Sequence, residues 1–395
     1  MTRTSRGSMP LSPGPQPEPE ASAHSERVRT HLRDAIETAG GWLSFADYMA
    51  LALHAPGLGY YAAGAAKFGE AGDFVTAPEL SPVFARAAAG QIDLLLSAQG
   101  GGAVLELGPG TGQFALDTLR ECAQRKSPLT EYQLLEPSAD LRERQRTRLE
   151  SARLDPYPIR WLDRLPVAFD GVIFANEVID ALPCERFVLR AGRLLRLGVA
   201  IESNRFVWRE REPRGDIAGD ERFCEHGERV LAQASAAGLE WPEGYVGEWQ
   251  RDLSEWIAAL ASSLRRGSVL LVDYGLPRLQ LLHPDRYDGT LRCHYRHRAH
   301  EDPFLWPGLT DITAWVDFTT VAEAAEASGL TVRGFATQTA FLLGSAVTIA
   351  PEEAAGARRL LLPGEMGEAV KCVWLTRDLE VDLPSFALQD LRHSL

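Results

Sequence analysis

Cysteine is scarce in this 395-residue chain: Cys122, Cys184, Cys224, Cys293 and Cys372 are scattered, odd in number and form no CxxC pair. That argues against a disulfide framework or a standard zinc site and suits reduced thiols in a cytoplasm. No apolar run approaches the roughly 18 residues of a membrane-spanning helix. A basic excess is also missing, because 41 Lys and Arg stand against 54 Asp and Glu, for a net charge of −13. Proteins that grip a phosphate backbone gather basic side chains on one face, so no nucleic-acid partner is expected. Residues 1–25 have almost nothing apolar to bury, and this Pro-, Ser- and Gly-rich stretch is expected to be a disordered tail. It has no apolar core for secretion, and its prolines spoil a basic amphipathic helix.

What is present is ample material for a buried core, with 45% hydrophobic residues. At roughly 150 residues per domain, the length predicts two units or one domain with large additions. ERVRTHLRDAIETAG has apolar residues at helical spacing and ends in Gly40-Gly41, and Ser44 is placed to cap a helix over FADYMALALH. A long loop with Tyr60, Tyr61, Phe68 and Phe74 leads to a further helix, PVFARAAAGQIDLLLSAQ. Loops of that length carry function or are disordered, and four aromatics favour function.

After Gly102, apolar strands alternate with amphipathic helices: AVLELG, YQLLEP, IRWL, DGVIFANEV and, after a long interval, GSVLLVDYG. This pattern predicts an α/β fold, a parallel sheet covered on both faces, with its ligand outside the carboxyl ends of the strands. About 80 residues separate the last two strands, far more than a usual connection. Part of them, ERFVLRAGRLLRLGVAIESNRFVWRERE, alternates like β-hairpins turning at Gly192 and Ser203-Asn204. After Gly275 come an aromatic and polar loop to about Asp317, then helix, strand, helix and a final strand, AVKCVWLTR.

The stretch VLELGPGTGQF places Gly108, Gly110 and Gly112 at the end of the first strand. A dinucleotide fingerprint requires G-x-G-x-x-G, but the third glycine is displaced and Gln113 stands in its place. A P-loop requires GK[ST], which is absent, and Pro109 removes an N–H that a phosphate cradle would use. Glu106 ends the first strand and Glu136 the second, where a carboxylate can accept two hydrogen bonds from a ribose diol. S-adenosylmethionine combines that diol with a sulfonium cation and lacks phosphate. The same residues also allow a plain tight turn beside a surface acid.

As a set, ELGPGTGQF, NEVIDALP (176–183), VDYG (272–275), GTLRCHYRHRAHEDPF and DITAWVDF resemble the MidA-like class I S-adenosylmethionine-dependent methyltransferases. SFADYMALALHAPGLGYY and GDFVTAPELSPVF extend the likeness to roughly residues 42–345. The resemblance implies a seven-stranded Rossmann-like class I methyltransferase sheet with an N-terminal helical cap and an inserted lobe. In those terms the chain divides into the tail 1–25, a cap and cofactor lid 26–98, core segments 99–184 and 251–395, and a lobe 185–250. An acceptor-side loop occupies 276–317. Trp315 departs from the family pattern, which carries a polar residue such as His there in several members. The resemblance further implies S-adenosyl-L-methionine as cofactor and a protein substrate with a target arginine, a respiratory-complex subunit among the candidates. A homodimer is allowed. A small-molecule methyltransferase and a non-catalytic assembly scaffold stay open as alternatives.

Methyl transfer is an in-line displacement in which the cofactor brings the activated carbon and the protein supplies alignment and electrostatics, without a metal. A protonated guanidinium is a poor nucleophile, so carboxylates must hold its fork and localise its charge. Asn176 and Glu177 close the fourth strand, Asp180 follows one turn on, and all three are expected on the acceptor side, although the acids could instead compensate a helix dipole. Asp273 and Tyr274 close the fifth strand and are expected beside the cofactor; Asp273 could instead satisfy backbone at the strand exit. By resemblance, Asp73 and Phe74 belong to the cofactor lid. CHYRHRAH offers Cys293, His294, His297 and His300 at a spacing that matches no zinc site. It is expected to supply a polar wall of the acceptor channel through Arg292, Tyr295 and His297, or else a plain surface loop.

Overall fold

The structure is a computed structural model that describes residues 16–63, 76–152, 157–214 and 219–395. Seven strands follow one another across its central sheet: β15 (Thr331–Thr337), β16 (Val370–Arg377), β10 (Leu264–Leu276), β5 (Phe169–Asn176), β2 (Gly102–Leu107), β3 (Leu129–Leu135) and β4 (Ile159–Leu162). β16 runs antiparallel to both its neighbours, and the other pairings along the row are parallel. The short β14 (Val316–Asp317) adds in parallel to the end of β10. Chain order runs outward through β2, β3 and β4 and then returns to β5 on the other side of β2. The carboxyl ends of β2 and β5 therefore flank a topological switch point, where such sheets open a crevice.

The centres of β5 (172–175) and β10 (269–272) read as unbroken apolar runs because they are covered on both faces. On one face, α4 (Pro82–Gln99) and α5 (Gln113–Arg125) bury Phe84 and Phe114 against Phe174, with the Phe114 and Phe174 rings stacked at 4.1 Å. On the other, α8 (Leu253–Ser263) and α10 (Phe318–Ala327) bury Ile257 and Val321 against Leu271 and Phe335. Each such side chain contributes roughly 1.5–3 kcal/mol over leaving it in water. α6 (Ala139–Ser151) follows β3, and α11 (Gln338–Gly344), α12 (Ala354–Leu361) and α13 (Met366–Ala369) lie between β15 and β16.

The N-terminal order begins earlier than composition suggests. Residues 1–15 fall outside the described region, but α1 (Pro19–Thr38) opens with proline in its first turn. It buries Ser25, Val28, Leu32 and Ile36, and His24 Nε2 lies 2.8 Å from the Leu58 carbonyl oxygen. The expected tail 1–25 is thus corrected over 19–25, where a polar composition hides one helix face in contact with the rest of the chain. The short β1 (Leu43–Ser44) pairs with the lobe, and Ser44 Oγ accepts the Asp47 N–H to cap α2 (Phe45–His54).

The lobe is a sheet of β6 (Cys184–Arg190), β7 (Arg193–Glu202), β8 (Arg205–Arg211) and β9 (Val246–Gln250), joined by α7 (Asp220–Ala236). Both hairpins turn on two left-handed residues, Ala191-Gly192 (φ 48° and 75°) and Ser203-Asn204 (φ 45° and 66°), the hand that matches strand twist. A buried arginine ties lobe to core. Arg278, in the short α9 (Arg278–Leu281), reaches Asp317 Oδ2 at 2.7 Å, Glu323 Oε2 at 2.8 Å and, on α7, Gln233 Oε1 at 2.8 Å.

Residues 276–317, expected as a loop, contain a small sheet in the order β12 (Arg298–His300), β11 (Arg292–Tyr295), β13 (Asp311–Thr313). Its strands are three or four residues long, too short for their alternation to show in sequence, and they pair because Cys293 and Ile312 face each other in the interior.

Candidate functional site

The glycine turn, the ends of β3 and β5 and the N-terminal cap enclose a cavity of about 300 Å³, at the lower end of the usual range for small-molecule sites. Four glutamates line it, Glu79, Glu106, Glu136 and Glu177, with no Lys or Arg among the described lining residues. A pyrophosphate would find no cationic partner among these residues, whereas a cation would find several acids.

The turn itself depends on glycine. Gly108, Gly110 and Gly112 all have left-handed φ (59°, 53° and 80°), and a Cβ on Gly108 would lie 2.9 Å from Val178 Cγ2. The displaced third glycine is explained by position, since Gly112 is the residue that starts α5. Gln145 Nε2 donates to the Gly110 carbonyl at 2.8 Å and so fastens the turn to α6.

Glu106 is only 3% exposed, and its Oε2 accepts from the Tyr132 hydroxyl at 2.7 Å. Burial pushes its carboxyl up to about 8, with Glu136 adding to the effect. Glu136 accepts the Ser138 N–H on Oε1 at 2.8 Å and Gln145 Nε2 on Oε2 at 3.4 Å. A carboxylate has about four acceptor sites, so capacity remains for a diol. Buried acids, a glycine-rich turn and the lack of Lys or Arg among the described lining residues fit a positively charged nucleoside.

On the other side, Glu177 is held in a left-handed conformation (φ 52°), its N–H donating to the Val272 carbonyl at 2.9 Å. Its Oε1 accepts from the Ala77 N–H at 3.2 Å and from Asn176 Nδ2 at 3.1 Å. Burial raises this carboxyl to about 7. Asn176 Oδ1 is buried without a partner among the described residues. Asp273 acts on backbone: Oδ2 accepts the N–H groups of Val178, Ile179 and Asp180 at 3.1, 2.7 and 3.3 Å, and Oδ1 that of Tyr274 at 2.8 Å. It therefore shapes the segment after Glu177 and does not line the cavity, and neither does Tyr274. Burial, then the charges of Asp273 and Glu177, raise Asp180 well above the carboxylate range; it sits behind the wall.

The structure places the expected histidine wall elsewhere. His297 is exposed at the tip of the β11–β12 hairpin (φ 60°), Arg292 pairs with Glu301, and Tyr295 packs on Trp306 at 4.7 Å. None of the three lines the cavity, because β11 buries its alternate residues under the cap. Trp315 is also away from it, under Arg286. Asp73 and Phe74 lie outside the described residues. The cap instead contributes His54 and Tyr61, which the motif reading missed; Tyr61 showed in sequence only as one of several loop aromatics. Among the described residues no group of three or more His, Cys, Asp or Glu is placed to hold a metal, and no helix is long and apolar enough to cross a membrane.

Residues 83–336 match the family described as "Putative S-adenosyl-L-methionine-dependent methyltransferase". The chain belongs to this family. A protein from Burkholderia thailandensis solved with S-adenosyl-homocysteine bound is 38% identical, with a TM-score of 0.89 over 96% of this chain and 100% of that one. Among curated proteins, the mitochondrial protein arginine methyltransferase NDUFAF7 of Danio rerio is 29% identical over 340 residues, 77% of this chain and 73% of that protein. The Homo sapiens protein of that name is 29% identical over 329 residues, 75% and 68% respectively. These likenesses make the chain a MidA-like class I methyltransferase, with S-adenosyl-L-methionine as its cofactor.

Proposed function

We propose that this methyltransferase modifies a side-chain nitrogen of arginine on a protein substrate. The observation that carries the proposal is Glu177, fixed on the cavity wall with Oε1 accepting from Ala77 and Asn176, while no described residue is bonded to Oε2. That oxygen and Asn176 Oδ1 together suit a guanidinium fork. The names of the curated relatives agree with it.

When bound, S-adenosyl-L-methionine supplies an electrophilic methyl group. Glu136 would accept from its ribose hydroxyls, the turn at Gly108, Gly110 and Gly112 would let main chain approach it, and Glu106 would lie near its positive charge. Glu177, with an affinity for protons close to neutrality, orients the acceptor nitrogen and takes up its proton at Oε2. Asp273 supports Glu177 from behind by holding the backbone of Val178, Ile179 and Asp180, and Asp180 lies beside it as a second buried acid.

A respiratory-complex subunit as substrate, a cytoplasmic setting suited to free thiols, and a homodimer complete the proposal. The test is mass spectrometry of a cell extract incubated with the enzyme and isotopically labelled cofactor. Labelled arginine in a protein is expected; label confined to low-mass material contradicts the reading.

A further inference from the structure

Tyr61 enters the cavity from the cap, while Asn176 and Glu177 enter from the sheet. Its ring is held on two sides, stacked with His54 at 5.5 Å and 16° and edge-on to Tyr60 at 5.0 Å and 84°. Its backbone N–H donates to the Leu53 carbonyl at 2.8 Å. Its hydroxyl donates to Asp311 Oδ1 at 2.8 Å, and Asp311 is a 2% exposed carboxylate on β13. A phenol has one proton to give. With that proton committed to Asp311, the Tyr61 oxygen offers only lone pairs to whatever occupies the cavity.

Two further acceptors belong to this side. Asn176 gives one Nδ2 N–H to Glu177 and leaves Oδ1 buried without a partner among the described residues, and a carboxylate at Glu177 can only accept. Three acceptor positions on one wall call for an occupant that is rich in donors. A hydroxyl brings one O–H, an ammonium three N–H groups and a guanidinium five in a planar fork.

We infer that Tyr61, with its hydroxyl oriented by Asp311, is the specificity contact that accepts an N–H of the substrate guanidinium. Tyr61 touches the acceptor; Asp311 is a positioning residue that acts through it. This inference rests on the arginine reading above and adds to it the contact that separates a guanidinium from a hydroxyl. Asp311 keeps the phenol from turning its proton toward the cavity, which would repel an N–H. Burial and the neighbouring acids also hold the Tyr61 hydroxyl well above its ordinary proton affinity, so it stays neutral.

A purely architectural pin between cap and small sheet would have the same hydrogen bond, and kinetics separate the two. The wild type, Tyr61→Phe, Asp311→Ala and the double variant are compared, using the arginine peptide that the wild type labels and calorimetry for S-adenosyl-L-methionine. Tyr61→Phe is expected to raise KM for the peptide about tenfold or more, the loss of one hydrogen bond to a charged group, with cofactor affinity within about twofold. Asp311→Ala is expected to raise KM by a similar factor, and the double variant by no more than either single one. A wild type that labels arginine together with a Tyr61→Phe enzyme of unchanged KM overturns the inference and leaves the arginine reading standing. A wild type that labels no arginine overturns both. Tyr61→Phe removes only a hydroxyl, so its result decides the matter even if Asp311→Ala does not fold.

Discussion

Replacing Glu106 by Gln removes one titratable proton and almost no volume. Oε1 of Gln can still accept from Tyr132, so the hydrogen bond seen at 2.7 Å is retained. In the folded protein, burial raises the Glu106 carboxyl from 4.5 to about 8. Between those two values the unfolded chain has lost the proton and the folded chain keeps it, so stability falls as pH rises. The limiting slope is about 1.4 kcal/mol per pH unit for one group. From pH 5 to pH 8 the wild type should lose about 2–4 kcal/mol through Glu106 alone, and Glu106→Gln should not. Glu177 and Asp273, both raised to about 7, titrate in the same window in both proteins, so the difference isolates Glu106. Urea unfolding without cofactor at pH 5, 6.5 and 8 measures it. The variant should match the wild type at pH 5 and exceed it at pH 8; a difference that does not change with pH would refute the placement of Glu106 in a desolvated pocket. A cationic ligand should also draw Glu106 toward its ionised form. Calorimetry near pH 7 in buffers of different ionisation enthalpy should therefore show proton release by the wild type and less by the variant.

Glu136→Ala should weaken cofactor binding by about 1–3 kcal/mol, the loss expected for hydrogen bonds to a charged group, as read by calorimetry. Glu177→Gln should leave cofactor affinity unchanged and lower turnover at saturating substrate, and a joint loss of both would move Glu177 out of its proposed place. Gly108→Ala should cost about 1–2 kcal/mol of stability for its left-handed φ, with a further loss of cofactor affinity from the contact with Val178. Adding Val178→Ala should recover the second loss and not the first. Arg278→Leu should cost about 3–5 kcal/mol in urea unfolding, because it leaves Asp317 charged and buried without its partner.

Much of the fold was visible in the chain's periodicity. The runs 103–105, 172–175 and 269–272 are apolar throughout because both faces of those strands are covered, and that is the signal that separates a parallel interior sheet from a surface one. The lobe hairpins were marked by Gly192 and Ser203-Asn204, residues that tolerate a left-handed backbone. The helix from Pro19 was not visible, since residues 19–25 are polar and their one buried member, Ser25, carries no apolar mark. The small sheet within 276–317 was hidden by strands too short to alternate.

At the site, the residues next to a strand end could be read locally: Gly108, Glu106, Glu136, Asn176 and Glu177 all line one cavity. Those whose role depends on distant chain could not. His54 and Tyr61 reach the cavity only because α2 packs against the lobe and β13, and Asp311 lies 250 positions from the hydroxyl it receives. Asp273 sits at a strand end as the pattern required, but three consecutive N–H groups after Glu177 claim its oxygen. His297 stood in a tract dense with ionisable groups; the left-handed turn at Arg296-His297 projects it outward. Residue type and spacing show which groups could react, and the packing of remote segments decides which of them face the same space.

The central claim is that the acids of this crevice select a positively charged nucleoside over a pyrophosphate. Calorimetric titration of the purified chain with S-adenosyl-L-methionine, S-adenosyl-homocysteine and NAD at pH 7 tests it most directly. Saturable binding of the first two, with no heat from NAD, is the predicted result. Saturable binding of NAD that displaces S-adenosyl-L-methionine would contradict it.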